Sequence, residues 1–398
     1  MSRKQGLRRR IEDTFLSRVQ EANPDLETYY EGRQGGSSKT VKSYVKIKGR
    51  NAELWKEFNS ANITSAYRHV LDTVVNRPPS SRPSRSMCLI GLEESMKNIV
   101  LDWCKKRIDE GLKLAAAVIQ KDLGQPQIEP SFRVEQINIE KDPSLTENIP
   151  EEDQDRPGKY VRPDAYVMGR ADIQSGPMYM PLEIKPSSLW RSSMLMTDEK
   201  SQAGLQPLRQ LGTYCKVCDT RIGVIITPEE AVAVRYYDIS EWEVGCHFMP
   251  VPWSNSGDQL TVNLAIWACA ALSLNDKYHH IVPKPHLFPE INTWQEAPSK
   301  GYYRHLYSGR YDSKLPPGAI IDTKENSLEE VPERVVVTIG SSAENILRGQ
   351  RRAMAQQELR RRCLLSVKSG GSNKRKAISD TESRAKKVAR VDPDSTIK

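Results

Sequence analysis

Residues 160–185, YVRPDAYVMGRADIQSGPMYMPLEIK, decide the fold. Tyr160 to Val167 reads as a strand bounded by Gly158 and Gly169, and Met178 to Ile184 as a second strand ended by Pro186. The segment from Arg170 to Pro177 carries Gly176-Pro177 and is short enough for a hairpin turn. Side chains alternate along a strand, so Glu183 and Lys185 share one face while Leu182 and Ile184 share the other. Burying Leu182 and Ile184 leaves Glu183 and Lys185 on the opposite, cleft-side face. Asp164, on the neighbouring strand, brings a second carboxylate to the same place. Two carboxylates supply hard oxygen ligands for Mg2+ or Mn2+. A lysine beside them can hold an attacking water or a developing negative charge.

The motifs Arg162-Pro163-Asp164 and Leu182-Glu183-Ile184-Lys185 resemble those of the PD-(D/E)XK nuclease superfamily. Downstream, LQPLRQLGTY places Gln206, Gln210 and Tyr214 at i, i+4 and i+8 of a helix. Gln210 and Tyr214 are similar to the Gln-x-x-x-Tyr motif of the exonuclease branch, where those residues support the catalytic lysine or contact nucleic acid. The run RIGVIIT at 221–227 looks like the strand that follows. The arrangement also looks like nuclease-like domains of filamentous-fungal proteins. The resemblance covers roughly residues 88 to 280 and implies an α/β, restriction-endonuclease-like core: a central mixed sheet flanked by helices. It implies that Asp164 and Glu183 bind Mg2+ or Mn2+, with the backbone carbonyl of Ile184, and that Lys185 orients or deprotonates water. The first core helix of that superfamily often adds a carboxylate, which here is Glu93; an ordinary boundary glutamate is the other reading. Read without the resemblance, a Glu-x-Lys at a strand end is a solvated face, a Pro-Asp pair is a turn and a glutamine stripe is a polar helix face.

The surrounding chain fills in the architecture. A helix is expected over Gln5 to Ala22, and helical spacing recurs from Asn51 to Asn76 before RPPSSRPSR at 77–85 breaks it. Residues 1–86 therefore read as a basic helical N-terminal extension with a linker. Met87 to Leu123 reads as one long helix, with Leu89, Leu92, Met96, Ile99, Val100 and Trp103 on a single face and Glu94 pointing away. Ser131 to Glu140 reads as a first core strand whose interrupted alternation admits a bulge. A helix over Thr197 to Val217, capped at Thr197, contains Pro207, which can kink it. Arg221 to Thr227 and Ala231 to Ile239 read as a hairpin, Val244 to Val251 as an edge strand and Leu260 to Leu274 as the closing helix. The nuclease-like domain is expected over 87–280. An irregular Pro/Tyr-rich segment over 281–340 packs on the core, with its tyrosines set among arginines. A basic helix over 341–368 opens on a capping box, Ser341-x-x-Glu344.

The 398 residues carry 59 Lys+Arg against 51 Asp+Glu, a net charge of +8 that favours a polyanionic partner such as DNA. Seven cysteines form no disulfide framework, and the lone Cys215-x-x-Cys218 reads as packing. No apolar stretch follows the N-terminal Met-Ser-Arg-Lys-Gln, and the longest apolar run, Leu264 to Leu274, falls short of the ~20 residues of a membrane span. A soluble, intracellular protein is expected. Residues 369–398 read as a disordered tail with two basic clusters. Lys374, Arg375 and Lys376, then Arg384, Lys386, Lys387 and Arg390, resemble a bipartite nuclear localisation signal read by an import receptor. A tail that binds nucleic acid loosely is compatible with the same residues. The leading expectation is a metal-dependent nuclease in the nucleus. The alternative is a catalytically inactive nuclease fold that serves as a DNA-binding or nuclear interaction module.

Overall fold

The computed structural model describes residues 14–29, 44–75, 81–135, 137, 139–140, 160–169, 175–196, 201–240, 242–283, 288–298, 301–322 and 336–338. The chain divides into two units, Met1–Gly340 and Ser341–Lys398. The expected basic helix, tail and localisation signal fall in the second unit, outside the described residues.

The hairpin expected over 160–185 is formed by β3 (Ala165–Gly169) and β4 (Ser175–Ile184), which pair antiparallel with Ala165 opposite Leu182 and Val167 opposite Met180. The first strand is shorter than expected. Pro163 has no N–H to give a ladder, and the chain breaks there. Tyr160–Val161 instead pairs with Ile139–Glu140 in a separate two-stranded ladder. The expected strand over 131–140 divides in the same way: only β2 (Pro130–Arg133) joins the main sheet, antiparallel to β3.

The main sheet is completed by β1 (Ala52–Leu54), β5 (Ile222–Ile226), β6 (Glu230–Ser240), β7 (Glu243–Pro252) and β8 (Val336–Thr338). Its order is β1-β7-β6-β5-β4-β3-β2, with β8 antiparallel to the start of β4. The β4/β5 and β7/β1 pairs are parallel and the others antiparallel, so the sheet is mixed. Val244 to Val251 was expected at the edge; β1 lies outside it, so β7 is internal.

Helices cover both faces. One face packs on α4 (Lys106–Leu123) and α6 (Val262–Leu272), the other on α5 (Gln202–Val217). Every residue of α6 is buried, which explains why its sequence lacks a polar face. Helices α1 (Phe15–Val19) and α2 (Ser60–Leu71) add Phe15, Val19, Ile63 and Tyr67 to the same core. Phe15 packs so closely on α4 that a Cβ at Gly111 would meet its ring, so glycine is required there. Residues expected to form an N-terminal extension thus pack into the core of the same unit, and Ala52–Leu54 joins its sheet.

The long helix expected from Met87 is interrupted. Leu89–Ile90 is extended, α3 runs over Glu93–Ile99, and Val100–Lys105 is π-helical before α4 begins. Leu92, placed on the apolar face by a uniform helical period, is 54 % exposed at the N-cap of α3. Helix α5 starts at Gln202, where Ser201 Oγ accepts from Gly204 N at 3.0 Å; residues 197–200 lie outside the described residues. It runs through Pro207. Residues 293–321, expected to be irregular, contain a four-stranded sheet of Thr293–Glu296, Tyr303–His305, Tyr311–Asp312 and Ile320–Ile321. Trp294 and Tyr307 are buried there, while Tyr302 and Tyr311 are exposed. Among the described residues, no helix is long and apolar enough to cross a membrane.

Candidate functional site

The break at Pro163 positions Asp164. Its N–H donates to Leu182 O at 3.1 Å, and its Oδ2 accepts from Ile184 N at 3.0 Å. The carboxylate is thereby pinned against β4, beside Glu183. Glu183 stands opposite Ile225, on the side of the sheet that α5 covers. That face was expected to border a cleft. Instead Glu183 is 2 % exposed, because α5 and Tyr214 close over it, while Lys185 remains 18 % exposed at the strand end.

Lys185 Nζ donates to Glu183 Oε1, and Glu183 Oε2 has no hydrogen-bond partner among the described residues. A buried acceptor left unpaired is costly unless something else fills it. Burial, reinforced by Asp164, pushes the Glu183 carboxyl up from its ordinary 4.5 to about 8, against the opposing pull of Lys185. Burial pulls the Lys185 ammonium down, but Glu183, Asp164 and Glu93 outweigh it and the net shift is upward.

Glu93 reaches the same place from the first turn of α3. Burial and then Asp164 raise its carboxyl, with Lys97 opposing. The expected third carboxylate therefore lies within the cluster. Lys97, one turn further along α3, is a residue the motif reading missed. Its Nζ lies 2.8 Å from Glu93 Oε1, 2.6 Å from Asp164 Oδ1 and 3.9 Å from Glu94 Oε2. Glu94, expected to point away, is thus at the margin of the cluster. The only local signal for Lys97 was its i+4 spacing from Glu93.

On α5, Gln210 Nε2 donates to Tyr214 OH at 2.6 Å. Burial, then Glu183, raises the Tyr214 phenol well above its ordinary value. Gln206 is half-buried one turn earlier and has no hydrogen bond to another described residue. Tyr44 is a second residue that the motif reading missed. Burial, then the charge of Glu183, pushes its phenol up to about 12, which places it in the field of the cluster. The chain beside it is fixed by a hydrogen bond from Val45 N to Thr213 Oγ1 at 3.0 Å, on α5. Cys215 and Cys218 are buried and free, packed at the end of α5.

Asp164, Glu183, Lys185 and Glu93 thus come together from two strands and a helix. Among the described residues, no three His, Cys, Asp or Glu side chains are already gathered to cage an ion. In this cluster two ammonium groups are interleaved with the carboxylates. The donors present, hard oxygens with one of them orphaned, fit an ion held by one or two carboxylates and water, as Mg2+ commonly is, rather than an all-protein cage. Compared with protein-family models, curated proteins and solved structures, the chain matches none, so the functional reading rests on this geometry.

Proposed function

We propose that the chain is a PD-(D/E)XK-type nuclease with a restriction-endonuclease-like core that hydrolyses phosphodiester bonds of nucleic acid, using Mg2+ or Mn2+. The observation that carries this reading is the buried Glu183 carboxylate, with one unpartnered oxygen, beside Asp164 and Lys185 at the ends of two paired strands. Asp164 and Glu183 would hold the ion together with water, and Glu93 would stand beside them as a third carboxylate. The ion would supply charge neutralisation at a phosphoryl oxygen and a more acidic water.

The chain's own groups have distinct tasks. Lys185, set among its carboxylate neighbours, would orient or deprotonate the attacking water and face developing negative charge. Its ion pair with Glu183 fixes that ammonium at the strand end. Tyr214, tied to Gln210, packs against the same face and limits water around Glu183. The net charge of +8 supports a polyanionic substrate. The basic clusters at Lys374–Lys376 and Arg384–Arg390 support a nuclear address read by an import receptor.

A second reading is a nuclease fold that binds DNA without cleaving it. It is favoured by one observation: Lys97 already satisfies Glu93 and Asp164 without a metal. One experiment separates the two. Purified protein is incubated with labelled single- and double-stranded DNA and RNA in Mg2+, Mn2+ or EDTA, beside Lys185→Ala and Asp164→Ala. Cleavage that needs the ion and is lost in both variants supports the enzyme. Salt-dependent binding with no cleavage in any condition establishes the binding module. A reporter fused to residues 369–398, with and without substitution of the two basic clusters, tests the address.

A further inference from the structure

We infer that Lys97 is an internal counter-ion that competes with the divalent cation for Glu93 and Asp164, so that cation and phosphodiester load as a pair. The inference rests on the hydrolytic reading above.

Lys97 is 8 % exposed, and its ammonium is shared between oxygens of Glu93 on its own helix and Asp164 on the sheet. It was not drawn there by a surface preference, because a lysine is rarely buried unless paired. The second oxygen of Asp164 is committed to Ile184 N, so Lys97 holds the only other oxygen of that carboxylate. A cation that takes Asp164 through this oxygen therefore meets the ammonium already held there and competes with it. Glu183 Oε2, by contrast, is buried with no hydrogen-bond partner among the described residues.

The charges give the consequence. With the carboxylates ionised, as binding a cation requires, Glu93, Asp164 and Glu183 are the ones in direct contact with Lys97 and Lys185, and these five groups carry one net negative charge; Glu94 stands further off, 3.9 Å from Lys97. A divalent cation alone overcompensates it and leaves a buried positive excess, which is unfavourable. A phosphodiester arriving with the cation brings one negative charge and restores neutrality. The four-carbon stem of lysine lets the displaced ammonium swing to a phosphate oxygen without moving α3. If Lys97 were neutral, the cluster would match a divalent cation unaided, and the need for nucleic acid would disappear.

The test is Mn2+ binding by the full chain, followed by the paramagnetic resonance of free Mn2+. Wild type, Lys97→Met and Glu183→Gln are compared, each with and without a cleavage-resistant phosphorothioate DNA duplex. Wild type is expected to bind Mn2+ weakly alone and at least about tenfold more tightly with the duplex. Lys97→Met is expected to bind at least about tenfold more tightly than wild type without DNA, and to gain little from the duplex. Thermal melting checks its fold. If methionine disturbs the packing, Lys97→Gln replaces it, keeping a polar head without the charge.

Equal Mn2+ affinity and equal DNA coupling in wild type and the Lys97 variant would overturn the counter-ion, and the hydrolytic reading would stand if Glu183→Gln still weakens binding. Mn2+ binding that Glu183→Gln leaves unchanged, or no binding with or without DNA, would sink the metal site and the counter-ion together.

Discussion

Two buried charged clusters lie at opposite ends of β5, and they have opposite unmet needs. At one end, where Lys185 N donates to Ile226 O, Glu183 is a carboxylate with an unpartnered oxygen. At the other, Arg221 is 1 % exposed and its Nε and Nη1 lack hydrogen-bond partners. Five residues of strand separate these ends, roughly 15 Å. The acidic cluster draws its groups from α3, β4 and the chain entering β3, and Lys185 reaches partly to solvent. The arginine cluster is walled by rings. The Arg221 guanidinium lies 4.1 Å from the centroid of Phe288, and its Nη2 donates to Tyr307 OH at 3.0 Å. Next to it, Arg235 pairs with Glu57 at 2.8 Å and lies over Trp55 and Phe288. Glu57 also accepts from Trp55 Nε1 and from Ile291 N. These contacts tie the N-terminal segment, the sheet and the 288–307 segment together. An orphaned acceptor beside a partly open lysine suits an incoming cation. An orphaned guanidinium sealed by aromatics holds three segments in place.

If that contrast is right, substitutions at the two ends separate chemistry from architecture. Lys185→Ala should lower the cleavage rate by about 10²–10⁴-fold, the range for a group acting directly in proton or charge transfer. Arg221→Met should leave it unchanged. Both are read in the same metal-dependent assay, with circular dichroism to check folding. Loss of cleavage in a folded Arg221→Met protein would break the division between the two ends.

Stability should show the reverse ranking. Glu57→Ala strands Arg235 without its carboxylate in a buried place, which costs about 3–5 kcal/mol. Among the described residues Arg221 has no carboxylate partner to strand, and methionine fills a similar volume without a charge to desolvate. Its substitution should cost no more than about 1 kcal/mol, and can stabilise. Urea denaturation of the two variants decides this, and a larger loss for Arg221→Met would show that its ring contacts outweigh its desolvation.

How far these two ends were legible in the sequence differs for a physical reason. Asp164, Glu183 and Lys185 sit in or beside a hairpin, where alternation over a few residues fixes which side chains meet. Gln210 and Tyr214 follow from helical spacing in the same local way. The break at Pro163 was foreseeable from proline's missing N–H, yet the alternation through Tyr160 and Val161 masked it. Lys97 was hidden because its partner Asp164 is 67 positions away and nothing local distinguishes a buried lysine from a solvated one. A uniform period misplaced Leu92 because the helix begins only at Glu93: Leu92 is the extended N-cap of α3 and lies outside the helical repeat. The arginine cluster was invisible for the same reason as Lys97. Glu57, Arg235 and Phe288 meet only because β1 joins the far side of the sheet and the 288–307 segment returns across it. The strands over 293–321 are two to four residues long, too short for alternation to register.

The titration of Glu183 sharpens the comparison further. Its carboxyl is raised from 4.5 to about 8, so between those values the folded chain holds a proton that the unfolded chain has lost. Stability without metal should therefore fall as pH rises from about 4.5 through about 8. Glu183→Gln removes this titration. Melting temperatures in EDTA should accordingly diverge, with the variant gaining on wild type toward pH 8 and converging with it near pH 5. Parallel profiles would mean that Glu183 is already stably ionised by its lysine.

The finest comparison comes from the same substitution made at both ends. Tyr214→Phe removes the hydroxyl that Gln210 donates to, but Gln210 is only half-buried, and water can replace the lost acceptor. Its cost should be about 0.5–1.5 kcal/mol, the net worth of one ordinary hydrogen bond. Tyr307→Phe strips Arg221 of its one side-chain hydrogen bond and leaves Pro289 O without the hydroxyl that donates to it at 2.8 Å. Those partners lie among buried rings, so the loss should reach about 1–3 kcal/mol, the penalty for an unsatisfied buried group. Equilibrium denaturation at one pH measures both. A cost at Tyr214 equal to or above that at Tyr307 would mean that the carboxylate end is the drier of the two, and that water does not reach Gln210 or the site beside it.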